Sequence, residues 1–162
     1  GAAGRELKGK IPSVNIEPIG TVKSPVTEAG DEGWGGVVSE IHLQESLAAG
    51  LQGIEQFSHI IVIFFMHQST FDLAADLVRR PRERPDMPLV GTFAQRAKHR
   101  PNPIGITTVQ LIRVEGNILE VKGLDAIDGT PVLDIKPYVP AFDCGANAVV
   151  PGWVEKLMKG YF

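Results

Sequence analysis

The sequence predicts a mainly β fold with few short helices, and three observations carry that prediction. Six or seven short apolar stretches recur at regular spacing, each bounded by turn residues. The chain holds 18 glycines and 12 prolines in 162 residues, more than the usual combined share of about 12%, and such residues multiply turns rather than lengthen helices. No strand-like stretch runs into a glycine turn and a long helix, which disfavours a doubly wound sheet. A sandwich and a small barrel both satisfy the pattern.

Residues 1–15 read as a flexible arm, with Arg5, Glu6, Lys8 and Lys10 among glycines, followed by Pro12 and Ser13. Asn15 to Lys23 carries Ile16, Ile19 and Val22 and reads as a first, imperfect strand. Thr27 to Gly36 is turn chemistry, rich in glycine around Asp31, Glu32 and Trp34. From Val37 to Leu43, apolar residues alternate in the manner of a half-buried strand. Leu43, Leu47 and Leu51 then fall at helical spacing, weakened by Gly50 and Gly53. Phe57 to Met66 is β-branched and aromatic throughout, which predicts a strand buried on both faces at the centre of the sheet.

Ser69 to Val78 fits a helix or a strand equally well. Arg79 to Pro88, with Pro81, Pro85 and Pro88 among its arginines, predicts an exposed loop. Leu89 to Gln95 reads as another strand. Pro101 and Pro103 bracket Asn102 in a stiff extended turn. Ile106 to Val114 and Ile118 to Leu124 form the clearest hairpin, turning at Glu115-Gly116-Asn117. Val132 to Tyr138 is the last strand, and a short helix at Trp153 to Met158 ends the pattern. The organisation that follows is an arm over 1–15, a barrel domain over 16–138 and a tail over 139–162.

Composition narrows the function classes. A single cysteine, Cys144, excludes an intrachain disulfide framework and a multi-cysteine zinc site. The longest apolar run, Ile60 to Met66, is too short to span a bilayer, and the start lacks a signal-peptide core, so a soluble cytoplasmic protein is expected. The net charge of −3 argues against a surface uniformly suited to nucleic acid. Seven of the basic residues nevertheless lie between Arg79 and Arg100, opposed only by Glu83 and Asp86. Such a patch suits phosphate; it also suits a merely solubilised loop.

Three stretches concentrate polar groups beside strand ends. His67-Gln68 leaves the buried run, where a histidine serves packing as readily as binding. Gly91-Thr-Phe-Ala-Gln-Arg96 and Arg100-Pro-Asn-Pro-Ile-Gly105 set guanidinium groups around a rigid turn, suited to a carboxylate or a phosphate. The flanking glycines there suggest close approach of a ligand to the backbone. Leu124 to Tyr138 gathers Asp125, Asp128, Asp134, Lys136 and Tyr138. Acids so spaced can bind ribose hydroxyls, accept a proton or hold a metal. No phosphate-binding glycine loop, dinucleotide fingerprint, HExxH or GxSxG occurs, and no spacing supports a metal site from His59, His67 and His99.

The stretches EQFSHIIVIFFMHQ, GTFAQRAKHRPNPIG and LDAIDGTPVLDIKPY, in this order, resemble the TsaA-like family, also called the TrmO family. The resemblance runs from about Ile16 to Tyr138. It implies a compact, mostly antiparallel β-barrel that acts as a homodimer. It also implies S-adenosylmethionine-dependent methylation of N6 of threonylcarbamoyladenosine 37 in tRNA. By the same resemblance, Trp34, Gly35, Gly36, His67, Gln68, Arg96, Ile106, Leu124, Asp125 and Asp128 would contact the cofactor. Arg100, Asn102, Lys136 and Tyr138 would face tRNA, with Trp34 or Tyr138 offering a stacking surface. Asp128 or Asp134 could accept the proton released by the methyl-accepting nitrogen. No metal is implied. Several bacterial members continue into a further C-terminal domain. Three other readings fit the same residues: the same chemistry on another substrate, a non-catalytic S-adenosylmethionine sensor, and an RNA-binding barrel without a cofactor.

Overall fold

A computed structural model describes residues 11–162. Six strands close into an antiparallel barrel: β1 (Gly20–Lys23), β2 (Val38–Leu43), β3 (His59–Phe65), β6 (Ile104–Glu115), β7 (Ile118–Lys122) and β8 (Pro131–Pro137). Around the barrel their order is β1-β2-β7-β6-β3-β8, and β8 pairs with β1 to shut it. Closure pairs every barrel strand on both sides over at least part of its length. A two-stranded ribbon, β4 (Val78–Arg79) and β5 (Val90–Gly91), stands apart from it. The described residues also form three short α-helices, α1 (Leu73–Asp76), α2 (Pro140–Asp143) and α3 (Gly152–Met158), and among them no helix is long and apolar enough to cross a membrane.

Alternation decides which side chains fill the barrel. Val22, Ile41, Leu43, Ile60, Val62, Phe64, Val109, Leu119, Val121 and Val132 point inward and are nearly inaccessible. Each such burial contributes about 1.5–3 kcal/mol. β3 lies between β6 and β8 and is mostly buried, as its composition predicts, although His59 and Phe65 at its ends are exposed.

The expected hairpin is present with a tighter turn: Gly116, at φ 61°, and Asn117 link β6 to β7, and the Asn117 amide donates to Leu43 O at 2.6 Å. Other expectations change. The first strand begins only at Gly20, and residues 11–18 are exposed without regular structure. Arg5, Glu6, Lys8 and Lys10 of the expected arm lie outside the described residues. The Leu43–Leu51 periodicity produces a 3-10 turn over Glu45–Leu51 rather than an α-helix. Leu89 to Gln95 is a strand only at Val90–Gly91, because Thr92–Ala94 turn back in a 3-10 turn. Arg79 to Pro88 is not wholly exposed: Pro81 and Met87 are buried.

Candidate functional site

Strand lengths create the site. β6 has twelve residues and β7 five, and their pairing runs only from Gln110 to Glu115. Among the described residues, Ile104 to Val109 of β6 are therefore paired with β3 alone. An unpaired edge offers backbone groups to other partners. Side chains from two distant stretches take that place. Arg96 donates through Nη2 to Ile106 O at 2.7 Å. Thr107, next along the strand, donates its hydroxyl to Asp125 Oδ1. Asp125 follows the fully buried Leu124, just past the end of β7.

The loop carrying Arg96 is pinned from inside. Gln95 is 7% exposed, and its amide donates to Arg79 O at 2.9 Å and Val90 O at 3.0 Å. Thr92 is 2% exposed and donates to His99 O at 3.1 Å. Arg100 turns Nη1 back onto Gln95 O and Ala97 O. Arg96 is thus presented at the surface by buried neighbours, while Arg100 spends donors on holding the loop.

Two glycines owe their presence to packing. A Cβ on Gly105 would lie 2.5 Å from Cε2 and Cζ of Phe64, its cross-strand partner. That glycine makes room for the Phe64 ring, a packing role that stands beside the ligand approach expected of it. A Cβ on Gly35 would meet the Phe162 carbonyl carbon at 2.5 Å. Tail and glycine turn are joined here: Gly33 N–H donates to Gly160 O at 2.9 Å and Trp34 N–H to Tyr161 O at 2.8 Å. The Tyr161 hydroxyl donates to Asp125 Oδ2, and the Arg82 guanidinium sits 5.7 Å from the Tyr161 ring centroid. Burial first, then the Asp125 charge, pushes the Tyr161 hydroxyl well above the ordinary tyrosine range. Trp34 is 3% exposed with its indole N–H on Gly30 O at 2.8 Å, so its ring lines the interior rather than a stacking surface.

The remaining residues lie in three places. His67 and Gln68 are exposed just beyond β3, beside the Asn102 turn, because Met66 N–H donates to Pro103 O at 2.8 Å. An apolar groove of about 320 Å³ opens there, lined in part by Ile16, Phe65, Asn102, Ile104 and Leu133. Asp134 and Ile106 both pair with Ile63, so the two share the barrel's outer face, two strand spacings or about 10 Å apart. Lys136 lies 3.0 Å from Asp134 Oδ2 and is exposed. Tyr138, half-buried, meets His59 edge-on at 6.3 Å between ring centroids. Asp128 stands apart: it is exposed and accepts Ser24 N–H at 3.0 Å, while its own N–H donates to Val26 O. It caps the loop after β1.

Charge is also redistributed by pairing. Arg79 binds Asp76 at 2.7 Å and Glu83 at 2.9 Å, Arg82 approaches Asp31 at 3.5 Å, and Arg84 binds Asp86 at 2.7 Å. Lys156 joins Asp86 at 2.9 Å. The Asp72 backbone N–H, then His99 and Arg79, hold the Asp76 carboxyl below the ordinary range against the opposing effect of its burial. Arg84 and then Lys156 depress Asp86 likewise. By contrast, residues 91–105 contain Arg96, Lys98 and Arg100 and no acid, and no carboxylate of the described residues pairs with them. The uncompensated cations therefore lie beside the candidate site. The described residues contain no cluster of three or more groups able to hold a metal. Sequence reasoning missed Thr107, Tyr161 and Phe162. A threonine at an inward strand position was the only signal for the first; the tail contacts leave none.

The sequence and the fold are similar to those of known proteins. Residues 31–144 match the family model of the tRNA-methyltransferase O N-terminal domain. A probable S-adenosyl-L-methionine-binding protein of Pyrococcus abyssi is 41% identical over 144 residues, 86% of this chain and 75% of that protein. The human tRNA (adenine(37)-N6)-methyltransferase is 42% identical over 101 residues, 62% of this chain and 22% of the human one. A crystal structure of TrmO from Pseudomonas aeruginosa superposes with a TM-score of 0.73 at 31% identity, covering 90% of this chain. This chain spans 64% of that crystallised one.

Proposed function

The chain belongs to the TrmO family, and on that premise we propose that it is an S-adenosylmethionine-dependent methyltransferase acting on N6 of threonylcarbamoyladenosine 37 in tRNA. The observation that carries the reading is the half-paired stretch of β6, where Arg96 and Asp125 meet adjacent residues. The donor set fits the cofactor: a guanidinium suits the carboxylate of its amino-acid end, and a carboxylate suits a ribose diol. In this reading Arg96 and Ile106 hold one end and Leu124 and Asp125 the other, with His67, Gln68 and the Trp34–Gly36 turn completing the contacts.

When bound, S-adenosylmethionine supplies a methyl group from a sulfonium. The chain's own task is alignment and proton removal. The attacking nitrogen gains the methyl carbon as the carbon–sulfur bond breaks and its electron pair returns to sulfur, and the nitrogen loses a proton, which needs an acceptor. Asp134 shares the outer face with Ile106, and Lys136 keeps it in reach of a polyanion; it is the acceptor we favour over Asp128, whose carboxylate caps a loop. Lys98 and Arg100 would meet the anticodon-loop phosphates, with Asn102, Lys136 and Tyr138 beside them. Exposed apolar side chains at Leu73, Leu77, Val78 and Leu89 suit a second copy of the chain, as expected of a homodimer. Acting on tRNA, the protein would work in the cytoplasm.

A second reading, cofactor binding without transfer, is favoured by the neutralisation of Arg79, Arg82 and Arg84, which leaves less free charge for RNA. Calorimetric titration with S-adenosylmethionine tests the shared premise. The wild type saturates and Arg96→Ala weakens binding at least tenfold; equal binding by both removes Arg96 from the site. Formation of S-adenosylhomocysteine with tRNA then separates transferase from sensor.

A further inference from the structure

We propose that residues Gly160–Phe162 form a strap lying across the adenosine end of the cofactor site, and that a bound cofactor must displace it to reach Asp125. The inference rests on the assignment of Asp125 and Gly35 to that site.

Those two residues are 90 positions apart in sequence, yet two consecutive tail residues cover both. Tyr161 donates its hydroxyl to Asp125 Oδ2, and Phe162 fills the space where a Gly35 side chain would stand. A ribose diol grips a carboxylate by giving one hydroxyl to each oxygen. Here each oxygen already has a donor, Thr107 on Oδ1 and Tyr161 on Oδ2.

Of the two donors, Tyr161 is the one that can leave. Thr107 is 7% exposed and belongs to a ladder-paired strand. The tail, beyond α3, is tied to the turn by two backbone hydrogen bonds, at Gly160 and Tyr161. Gly160 has φ 77°, a left-handed link where the chain bends from the helix to the strap. Arg82 over the Tyr161 ring is a second, surface tie. Because burial and the Asp125 charge keep the Tyr161 hydroxyl protonated, the strap opens by competition and not by titration of this group near neutral pH.

A strap of this kind lowers apparent affinity by the fraction of molecules in which it is open. Loosening it tightens binding without adding any contact to the ligand. Equilibrium titration of S-adenosylhomocysteine into wild type, Tyr161→Phe, Arg82→Ala and Asp125→Asn tests this. Tyr161→Phe removes one oxygen and is expected to bind about three- to tenfold more tightly. Arg82→Ala removes the guanidinium over the Tyr161 ring, and it too is expected to bind more tightly. Asp125→Asn is expected to bind at least tenfold more weakly. Weaker or unchanged binding by both Tyr161→Phe and Arg82→Ala, with Asp125→Asn impaired, makes the tail a wall of the pocket and overturns the strap alone. If Asp125→Asn binds like wild type, or no variant binds, the cofactor assignment itself has failed and the strap falls with it.

Discussion

Replacing Gly105 by alanine separates a packing role from a ligand-binding one. The added Cβ would stand 2.5 Å from two ring atoms of Phe64. Carbon atoms rest at roughly 3.5–4.0 Å, so the ring must retreat by about 1 Å. Phe64 is 3% exposed and packed into the barrel interior, where there is no space to retreat into. Overpacking of this kind costs about 1–3 kcal/mol, or roughly 2–12 °C of melting temperature for a chain of this size. Thermal denaturation followed by circular dichroism reads that shift, and titration of the folded variant with S-adenosylmethionine reads the ligand. The expected result is a lowered melting temperature with cofactor affinity within threefold of wild type. An unchanged melting temperature with affinity lost would show that the glycine serves the ligand, and the packing argument would be wrong.

Asp76 gives a pH prediction. Its native pKa lies below the ordinary 3.8, so its stabilising effect is full above that value and disappears as pH falls through the native one. Asp76→Asn should melt lower than wild type from pH 7 to 5, the gap closing on acidification below about pH 4; a gap independent of pH rules the linkage out. Because Arg84 is already paired with Asp86 and Lys98 has no carboxylate partner among the described residues, Lys98→Ala should flatten the salt dependence of RNA binding by about one counterion, and Arg84→Ala by less. The reverse order would place the RNA on the 79–88 loop. Asp134→Asn should slow a saturated single turnover by about 10²-fold or more with cofactor affinity kept, while Asp128→Asn changes stability more than rate. Equal rates for Asp134→Asn and wild type would remove Asp134 as proton acceptor.

The barrel strands were legible where inward and outward residues alternate, as in Ile118–Lys122, or where both faces are apolar, as in Ile60–Phe64. Short pieces held by side chains were not. Thr92 and Gln95 bend the chain after Gly91 by binding backbone carbonyls, and nothing in their spacing announces it. The dense polar stretches contain Arg96 and Asp125, which the fold brings onto adjacent residues of β6. That these two meet neighbouring residues depends on β7 ending early, a consequence of pairing register that local sequence does not carry. The arginine loop left two readings open in sequence, because carboxylates as distant as Asp31 partner its charges only in the fold. The tail contacts on Gly35 and Asp125 span 127 and 36 residues and have no local signature at all.

The central claim is methyl transfer to a modified anticodon-loop adenosine. Its most direct test is incubation of the protein with methyl-labelled S-adenosylmethionine and two preparations of the same tRNA, one bearing threonylcarbamoyladenosine at position 37 and one bearing plain adenosine. The account predicts label in the modified tRNA, recovered on N6 of that nucleoside, and none in the unmodified one. Saturable cofactor binding with no label in either tRNA would contradict it.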